Sequence, residues 1–316
     1  MTSEVLIVKT TSSLIPDGIW PVMLTAFRED QSLDWSGVEA LTEFYLGAGV
    51  SGLFAVAQSA EMFELTAAER VELARRVVTQ VDGRVPVVSA GAFGSSFTEQ
   101  IDLVHQLADV GVSAVVLLTN QMATESESED VWRRGAEAIL SETDDIPLGL
   151  YECPSPYKRI LSTDLYKWAA ETNRFVFYKD TCLSLSQIKS KIDAAAHTPL
   201  KFFNAELNSL SASLVAGGNG FSGIAANFYP ELLVWLWQNA HEHPGKANSL
   251  QKFLSIAEAV ADYKYPTSAK YFLRETGRVN ISNTCRIQNV AISEHEQRTL
   301  TALAEYLPHF SNLGND

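Results

Sequence analysis

Short apolar runs alternate along the chain with amphipathic stretches long enough to form helices. The stretches between the runs place apolar residues three and four positions apart, as a helix buried on one face requires. The runs fall at 19–27, 52–57, 85–90, 114–119, 147–153, 175–180, 201–205 and 220–225. The clearest helical stretches are 35–48, 67–81, 98–110, 131–141 and 161–172. Strands that alternate with helices in this way are typical of βα units and a parallel sheet.

Several of these elements carry boundary signals. Thr66-Ala-Ala-Glu69 is a capping box, so a helix is expected to begin there. Gly49, Gly83 and Gly111 each follow a helical pattern at the place of a C-cap. The glycines of Gly217-Gly-Asn-Gly220 fit a turn from a helix into a strand.

Eight strands with intervening helices favour a closed (β/α)8, or TIM, barrel over the alternative, an open doubly wound sheet. No GxGxxG motif follows the first strand, and the chain after the eighth strand has helical periodicity. We therefore predict an N-terminal extension at 1–16, an α/β barrel at 17–228 and a C-terminal helical region at 229–316 packed on it.

Composition narrows the function. The chain has 316 residues, 46% of them hydrophobic, and a formal net charge of −14, which argues against a nucleic-acid partner. No apolar run reaches the roughly 18 residues of a membrane span, and the N-terminal residues lack the order of regions in a signal peptide. The three cysteines have no metal-type spacing and the six histidines are scattered. We expect a cytoplasmic protein with reduced thiols, no metal and no cofactor.

Lys179 is the first candidate for chemistry. It ends the run Phe175-Val-Phe-Tyr-Lys179, and alternation along a strand places it on the same face as the phenylalanines. In a parallel barrel the active site lies at the carboxyl ends of the strands. A lysine that points into the barrel there would lose water, and its pKa would fall until the amine could attack a carbonyl. The alternative is a surface lysine with its ammonium in water.

Tyr151 ends the preceding strand and is expected beside Lys179, where a phenol could relay protons. A packed core tyrosine is the alternative.

The loop Ala57-Gln-Ser-Ala-Glu61 combines small residues with the Ser59 hydroxyl, which suits either a cradle for a carboxylate or a tight surface turn. Cys153 and Cys182 have no histidine near them in sequence to activate them, and we interpret both as bystanders.

From about Gly18 to about Tyr271 the chain resembles the dihydrodipicolinate synthase / N-acetylneuraminate lyase family of Schiff-base aldolases. The resemblance lies in the order and context of four segments. They are Gly18-Ile-Trp-Pro-Val-Met-Leu-Thr-Ala-Phe27, Tyr151-Glu-Cys-Pro154, Lys179-Asp-Thr181, and Gly217-Gly-Asn-Gly220 through Asn227.

The resemblance implies that Lys179 forms an imine with pyruvate and that Tyr151 carries protons. It also implies a substrate-binding loop, Gly-[Ser/Thr]-Thr-Gly-Glu in relatives, at Gln58, Ser59 and Ala60, followed by a retained glutamate. Both loop glycines are alanines here and Gln58 is foreign to the pattern. By the same resemblance, Ser222 lines the pyruvate site through its backbone, and the protein is expected to be a homotetramer or homodimer.

Two departures bear on the substrate. Lysine-pathway synthases carry Pro-Tyr-Tyr after the fourth strand, where this chain reads Thr119-Asn-Gln-Met122. They also carry a substrate-binding arginine where Pro156 stands, and Lys158 and Arg159 lie close by at a different spacing.

These observations leave several functions open. The first is a class I aldolase or lyase that acts on pyruvate and an aldehyde or cleaves a 2-oxo sugar acid. The second is 4-hydroxy-tetrahydrodipicolinate synthesis, against which the two departures count. Dehydration or decarboxylation of an oxo-sugar acid is a third, because an imine is an electron sink for each reaction. A scaffold that binds a 2-oxo acid without turnover is the non-enzyme alternative.

Overall fold

The computed structural model describes residues 14–91, 93–94, 96–287 and 291–310. Within this part of the chain, eight parallel strands form one sheet in the order β1-β8-β7-β6-β5-β4-β3-β2. Their bounds are β1 Gly18–Ile19, β2 Leu53–Val56, β3 Val87–Ala90, β4 Ala114–Leu118, β5 Leu148–Tyr151, β6 Phe175–Asp180, β7 Lys201–Asn204 and β8 Gly220–Phe221.

The two ends of the sheet meet beside β1. The Phe54 N–H donates to the Pro21 carbonyl at 2.9 Å, and the Met23 N–H donates to the Phe54 carbonyl at 3.0 Å. These bonds join the chain after β1 to β2, so the sheet closes on itself. The predicted (β/α)8 barrel is confirmed.

Helices follow the strands and then continue as a C-terminal set. The barrel helices are α1 Trp35–Gly47, α2 Ala67–Val81, α3 Phe97–Val110, α4 Glu129–Glu142, α5 Thr163–Glu171, α6 Leu185–Ala194, α7 Leu210–Val215 and α8 Pro230–Asn239. The later ones are α9 Pro244–Ala261, α10 Thr267–Glu275 and α11 Glu294–Tyr306. The Thr66–Glu69 capping box is present at the start of α2, and Gly111 ends α3 in the left-handed conformation.

The first and last strands are shorter than the sequence predicts. Instead of running through 19–27, β1 ends at Ile19, and only Val22 forms a further bridge to β2. The eighth strand, predicted at 220–225, ends at Phe221 and is followed by a 3₁₀ turn, Ile224–Asn227. The turn directs the Asn227 amide to the Val22 carbonyl at 2.9 Å, so a side chain replaces ladder bonds where the barrel closes.

The closure also requires a glycine. Gly220 has φ +154°, and a Cβ added to it would lie 1.9 Å from the Gly18 carbonyl oxygen on β1. Any side chain there would separate the two strands. The turn predicted at Gly217–Gly220 is thus confirmed, and Gly220 is needed for the contact between strands as well.

Aromatic rings fill the barrel interior. Phe177 on β6 stacks on Phe203 with ring centroids 4.7 Å apart and meets the edges of Trp20 and Phe54 at 5.3 and 5.8 Å. All four rings are buried. The side chain two residues after Phe177, that of Lys179, therefore lies above a packed apolar layer.

The C-terminal helices pack on the barrel, as predicted. Lys270 on α10 reaches the β2 loop, and Arg278 donates to the Phe228 carbonyl at 3.1 Å. The domain boundaries at 16 and 228 stay a prediction, and most of the predicted extension, residues 1–13, lies outside the described residues. Among the described helices, none has the length and apolar character needed to cross a membrane.

Candidate active site

Lys179 and Tyr151 lie side by side at the carboxyl ends of their strands. The register of β5 and β6 pairs the two residues directly. The Lys179 Nζ lies 4.0 Å from the centroid of the Tyr151 ring. The structure therefore brings together the two side chains that the sequence singled out.

Burial controls the charge of the lysine. Lys179 is 5% exposed, and loss of water around the ammonium lowers its pKa from 10.5 to about 7. Cys153 opposes this shift and the positive charge of Lys158 adds to it. A substantial fraction of the amine is therefore uncharged at neutral pH, as a nucleophile requires.

Tyr151 is oriented by Gln58. Its hydroxyl donates to Gln58 Oε1 at 3.3 Å, and the Cys153 thiol lies 3.8 Å from the same oxygen. Burial raises the pKa of Tyr151 well above its usual value, so the group is a phenol at neutral pH. Gln58, the residue foreign to the family pattern, thus contacts the hydroxyl expected to move protons.

The β2 loop forms a 3₁₀ turn, Gln58–Ala60, that ends at Glu61 with φ 58°. The N–H groups of Ala60 and Glu61 donate inside the turn, to the carbonyls of Ala57 and Gln58. Gln58 and Ser59 line the cavity above Lys179, whereas the fully buried Ala60 is not among its lining residues. Of the predicted carboxylate cradle, Gln58 and Ser59 thus face the cavity, and their role in binding a carboxylate stays a prediction.

Ser222 is fully buried behind the cavity wall. Its N–H donates to the Asn204 carbonyl at 2.8 Å, and its hydroxyl has no hydrogen-bond partner among the described residues. The next two residues, Gly223 and Ile224, line the cavity in its place. Substrate-binding roles for Ser222 and Ala60 stay predictions.

The cavity has a volume of about 680 Å³, ample for a small ligand. Its walls include residues that sequence reasoning missed, above all Tyr265 and the α9 side chains. The Tyr265 hydroxyl accepts from the Asn227 amide at 2.6 Å and also contacts Ser59. The C-terminal region therefore completes the site.

A buried ion pair joins the β2 loop to that region. Lys270 Nζ lies 2.7 Å from Glu61 Oε1, and both side chains are fully buried. Glu61 Oε2 also accepts the Ile287 N–H at 2.9 Å. The retained loop glutamate thus fixes the turn that carries Ser59 and Gln58.

A second buried network lies outside the barrel wall, behind the two candidate catalytic residues. Lys191 on α6 contacts Glu152 Oε1 at 2.6 Å and Asp180 Oδ2 at 2.7 Å. Glu152 directly follows Tyr151, and Asp180 directly follows Lys179. Lys191 therefore ties together the ends of β5 and β6. The sequence contains one signal for this network, because the lysine lies between Ile188 and Ile192 on the buried face of α6.

The comparisons with known proteins agree with the barrel fold. Residues 15–307 match the model of the dihydrodipicolinate synthetase family. The chain belongs to this family. YagE of Escherichia coli, provisionally assigned as a 2-dehydro-3-deoxy-D-gluconate aldolase, is 30% identical over 220 residues, which cover 69% of this chain and 72% of YagE. A 4-hydroxy-tetrahydrodipicolinate synthase of Polynucleobacter asymbioticus is 27% identical over 270 residues, covering 83% and 86%.

Solved structures of the dihydrodipicolinate synthetase family show the same fold. The crystal structure of YagE in complex with pyruvate superimposes with a TM-score of 0.83 at 26% identity, covering 92% of this chain and 98% of YagE. Together with the names of the relatives, the family match identifies the chain as a lyase of the aldolase and synthase type.

Asn120 lies in the segment after β4 where the chain departs from the lysine-pathway synthases, and it bonds the loop after β5. Its amide donates to the carbonyls of Cys153, Ser155 and Tyr157 at 3.0, 2.8 and 2.7 Å. The segment after β4 therefore braces the loop after β5.

Neither basic residue near Pro156 lines the cavity. Lys158 donates to the Thr181 carbonyl at 2.8 Å and Arg159 donates to the Glu127 carbonyl at 2.5 Å.

In the described ranges, no three His, Cys, Asp or Glu side chains are grouped so that they could hold a metal ion. Cys153, Cys182 and Cys285 are free thiols.

Proposed function

We propose that the protein is a class I aldolase or lyase whose Lys179 forms a Schiff base with pyruvate or with a 2-oxo sugar acid. One observation carries the proposal. A buried amine with a pKa of about 7 lies 4.0 Å above the ring of a tyrosine at the base of a cavity of about 680 Å³. The family and the pyruvate complex of YagE support the same chemistry.

In the proposed reaction the uncharged Lys179 amine adds to the C2 carbonyl of the oxo acid. Water then leaves with the proton of the Tyr151 phenol, and a protonated imine remains beside a phenolate. The cation compensates the phenolate, which burial would otherwise disfavour.

In the cleavage direction the Tyr151 phenolate takes the proton of the C4 hydroxyl as the bond between C3 and C4 breaks. The electron pair of the C3–C4 bond moves into the imine, so an aldehyde leaves and an enamine forms. The phenol then protonates the enamine at C3. Water hydrolyses the protonated imine to release pyruvate and the neutral amine, and the proton that this step sets free returns to the Tyr151 phenolate. Gln58 accepts the hydrogen bond of Tyr151 in the phenol form, before the proton is transferred.

Synthesis of 4-hydroxy-tetrahydrodipicolinate is the second candidate, favoured by the identity to the Polynucleobacter synthase. Pro156 and the Asn120 network count against it, because neither supplies the arginine or the tyrosine of those synthases. Dehydration of an oxo-sugar acid would use the same imine, whereas a binding scaffold would not need one.

Borohydride reduction in the presence of pyruvate tests the proposal. We expect one adduct on Lys179 with the mass of pyruvic acid less one oxygen atom, found by mass spectrometry of peptides. Lys179→Ala must abolish it, and Lys158→Ala, a matched change at a neighbouring exposed lysine, must leave it. Pyruvate binding without an adduct would point to the scaffold. Comparing pyruvate release from 2-oxo sugar acids with turnover of pyruvate and aspartate semialdehyde separates the first two candidates.

We further propose that the enzyme works in the cytoplasm as a homodimer or homotetramer. Free thiols suit that compartment. Light scattering that gives a monomer across the working concentration range would contradict the assembly.

A further inference from the structure

One wall of the cavity is a single face of α9. Ser255, Glu258 and Ala259 of α9 and Asp262, the residue directly after the helix, occupy positions i, i+3, i+4 and i+7, which lie on one face of a helix. All four line the cavity that contains Lys179. Another face of the same helix is buried in the core through Leu250, Leu254 and Ala257. Core packing therefore fixes which face of α9 the cavity receives.

This wall carries negative charge. Glu206, from the loop after β7, joins Glu258 and Asp262 among the lining residues. The lining cations are Lys179, whose amine is partly uncharged, and Lys264, which pairs with Glu296 at 2.8 Å. No arginine stands among the lining residues of the described chain. A ligand in the cavity meets carboxylates without a matching surplus of positive charge.

Glu258 is held in a fixed position. Its Oε2 accepts the Leu207 N–H at 3.1 Å, so the carboxylate is anchored to the loop after β7 next to Glu206. Burial raises the pKa of Glu258 to about 7, and the repulsion from Glu206 and Asp262 adds to the increase. Above pH 7, where Glu258 is mostly ionised, an additional anion beside this group would be repelled, whereas a hydroxyl group could donate a hydrogen bond to it.

We infer that Glu258, together with Glu206 and Asp262, is a specificity-determining residue that selects aldehyde partners that are uncharged and carry hydroxyl groups. Aldehydes that carry a carboxylate or phosphate are disfavoured. The inference rests on the proposed function, because it assigns the part of the cavity that the pyruvate unit on Lys179 leaves for the second substrate.

The test compares two aldehydes in aldol addition to pyruvate, at about pH 8.5 so that Glu258 is ionised. Glyceraldehyde is uncharged and hydroxylated, and succinate semialdehyde carries a carboxylate. In Glu258→Gln we expect the ratio of kcat/KM for succinate semialdehyde to that for glyceraldehyde to rise about tenfold, mainly through KM, because one repulsive charge and one strong acceptor are lost. Glutamine keeps the volume and can still accept the Leu207 N–H, so the fold is retained.

Glu242→Gln is the matched control, because it removes the same charge from an exposed turn just before α9. Its ratio should equal that of the wild type. Asp262→Asn, at an exposed position of the same wall, should shift the ratio in the same direction as Glu258→Gln. Reductive trapping of pyruvate on Lys179 is measured in every variant.

Trapping separates the two possible failures. If the variants trap pyruvate normally but their ratios stay within about twofold of the wild type, the role of the α9 wall is wrong and the aldolase proposal stands. If the wild type traps no pyruvate, the proposed function fails and the inference fails with it.

Discussion

The buried Lys179 amine lowers the stability of the folded protein, and this effect can be measured without any substrate. Replacing it by methionine keeps the length and apolar volume of the side chain but removes the titratable group. Because Lys179 lies above the Phe177 layer and is 5% exposed, its ammonium form is poorly solvated in the folded state. We expect Lys179→Met to be inactive and more stable than the wild type.

The magnitude follows from the difference in pKa between the two states. The unfolded lysine holds its proton up to about pH 10.4, whereas the folded amine releases it near pH 7. At about 1.4 kcal/mol per pH unit, protonation favours the unfolded wild type by on the order of 4 kcal/mol at pH 7. Loss of the contact between the Lys179 ammonium and the Tyr151 ring offsets about 1 kcal/mol of the gain in the variant.

Because the pKa of Lys179 is lower in the folded state, the free energy of unfolding should depend on pH in a specific way. Between about pH 7 and pH 10.4 the unfolded wild type binds one more proton than the folded protein, so its stability rises with pH. Lys179→Met lacks this term. Its advantage should therefore be constant below about pH 7 and shrink by about 1.4 kcal/mol for each pH unit above it.

Urea unfolding at matched protein concentration, followed by circular dichroism from about pH 6 to about pH 9, measures the difference. Lys252→Met, an exposed lysine on α9, is the control and should show no such trend. A Lys179→Met variant that is no more stable than the wild type, or whose advantage does not change above pH 7, would refute the desolvated amine.

The remaining predictions use the same site and its supports. Borohydride trapping by the wild type should accelerate with pH and level off above about pH 7, whereas an ordinary lysine would still accelerate near pH 10. Tyr151→Phe should trap pyruvate more slowly, because the phenol supplies the proton with which water leaves, and should turn over about 10²- to 10⁴-fold more slowly, as steady-state kinetics will show. Lys191→Met should lower the free energy of unfolding in urea by about 3–5 kcal/mol, because it leaves two buried carboxylates unpaired. Gly220→Ala should prevent a stable fold, while Gly47→Ala, at the last residue of α1 and with open space around it, should raise the thermal midpoint slightly.

The barrel could be predicted from the sequence because its signals are local. Each interior strand is a short apolar run, and caps such as Thr66 and Gly111 lie within a turn of the boundary that they mark. The ends of the sheet depend instead on contacts between distant segments. Asn227 bonds the Val22 carbonyl, and Gly220 lies against Gly18, so β1 and β8 are shorter than their apolar patterns indicate.

The candidate site divides in the same way. Tyr151 and Lys179 end consecutive strands, and consecutive strands of a parallel barrel are neighbours, so their proximity follows from chain order. Glu258 and Lys270 come from helices after the barrel, and Tyr265 comes from the turn between those two helices. The hydrophobic periodicity of these segments predicts helices, but it does not predict which end of the barrel a later helix packs on.

Alternation at the two strand ends connects the chemistry with the stability of the barrel. Tyr151 and Lys179 point inward, so Glu152 and Asp180 must point outward, where both are buried against Lys191. Unpaired carboxylates one residue from the nucleophile would favour its charged form. Lys191 compensates them and fixes one strand end against the other. The position of Lys179 over the Tyr151 ring therefore depends on a lysine outside the cavity.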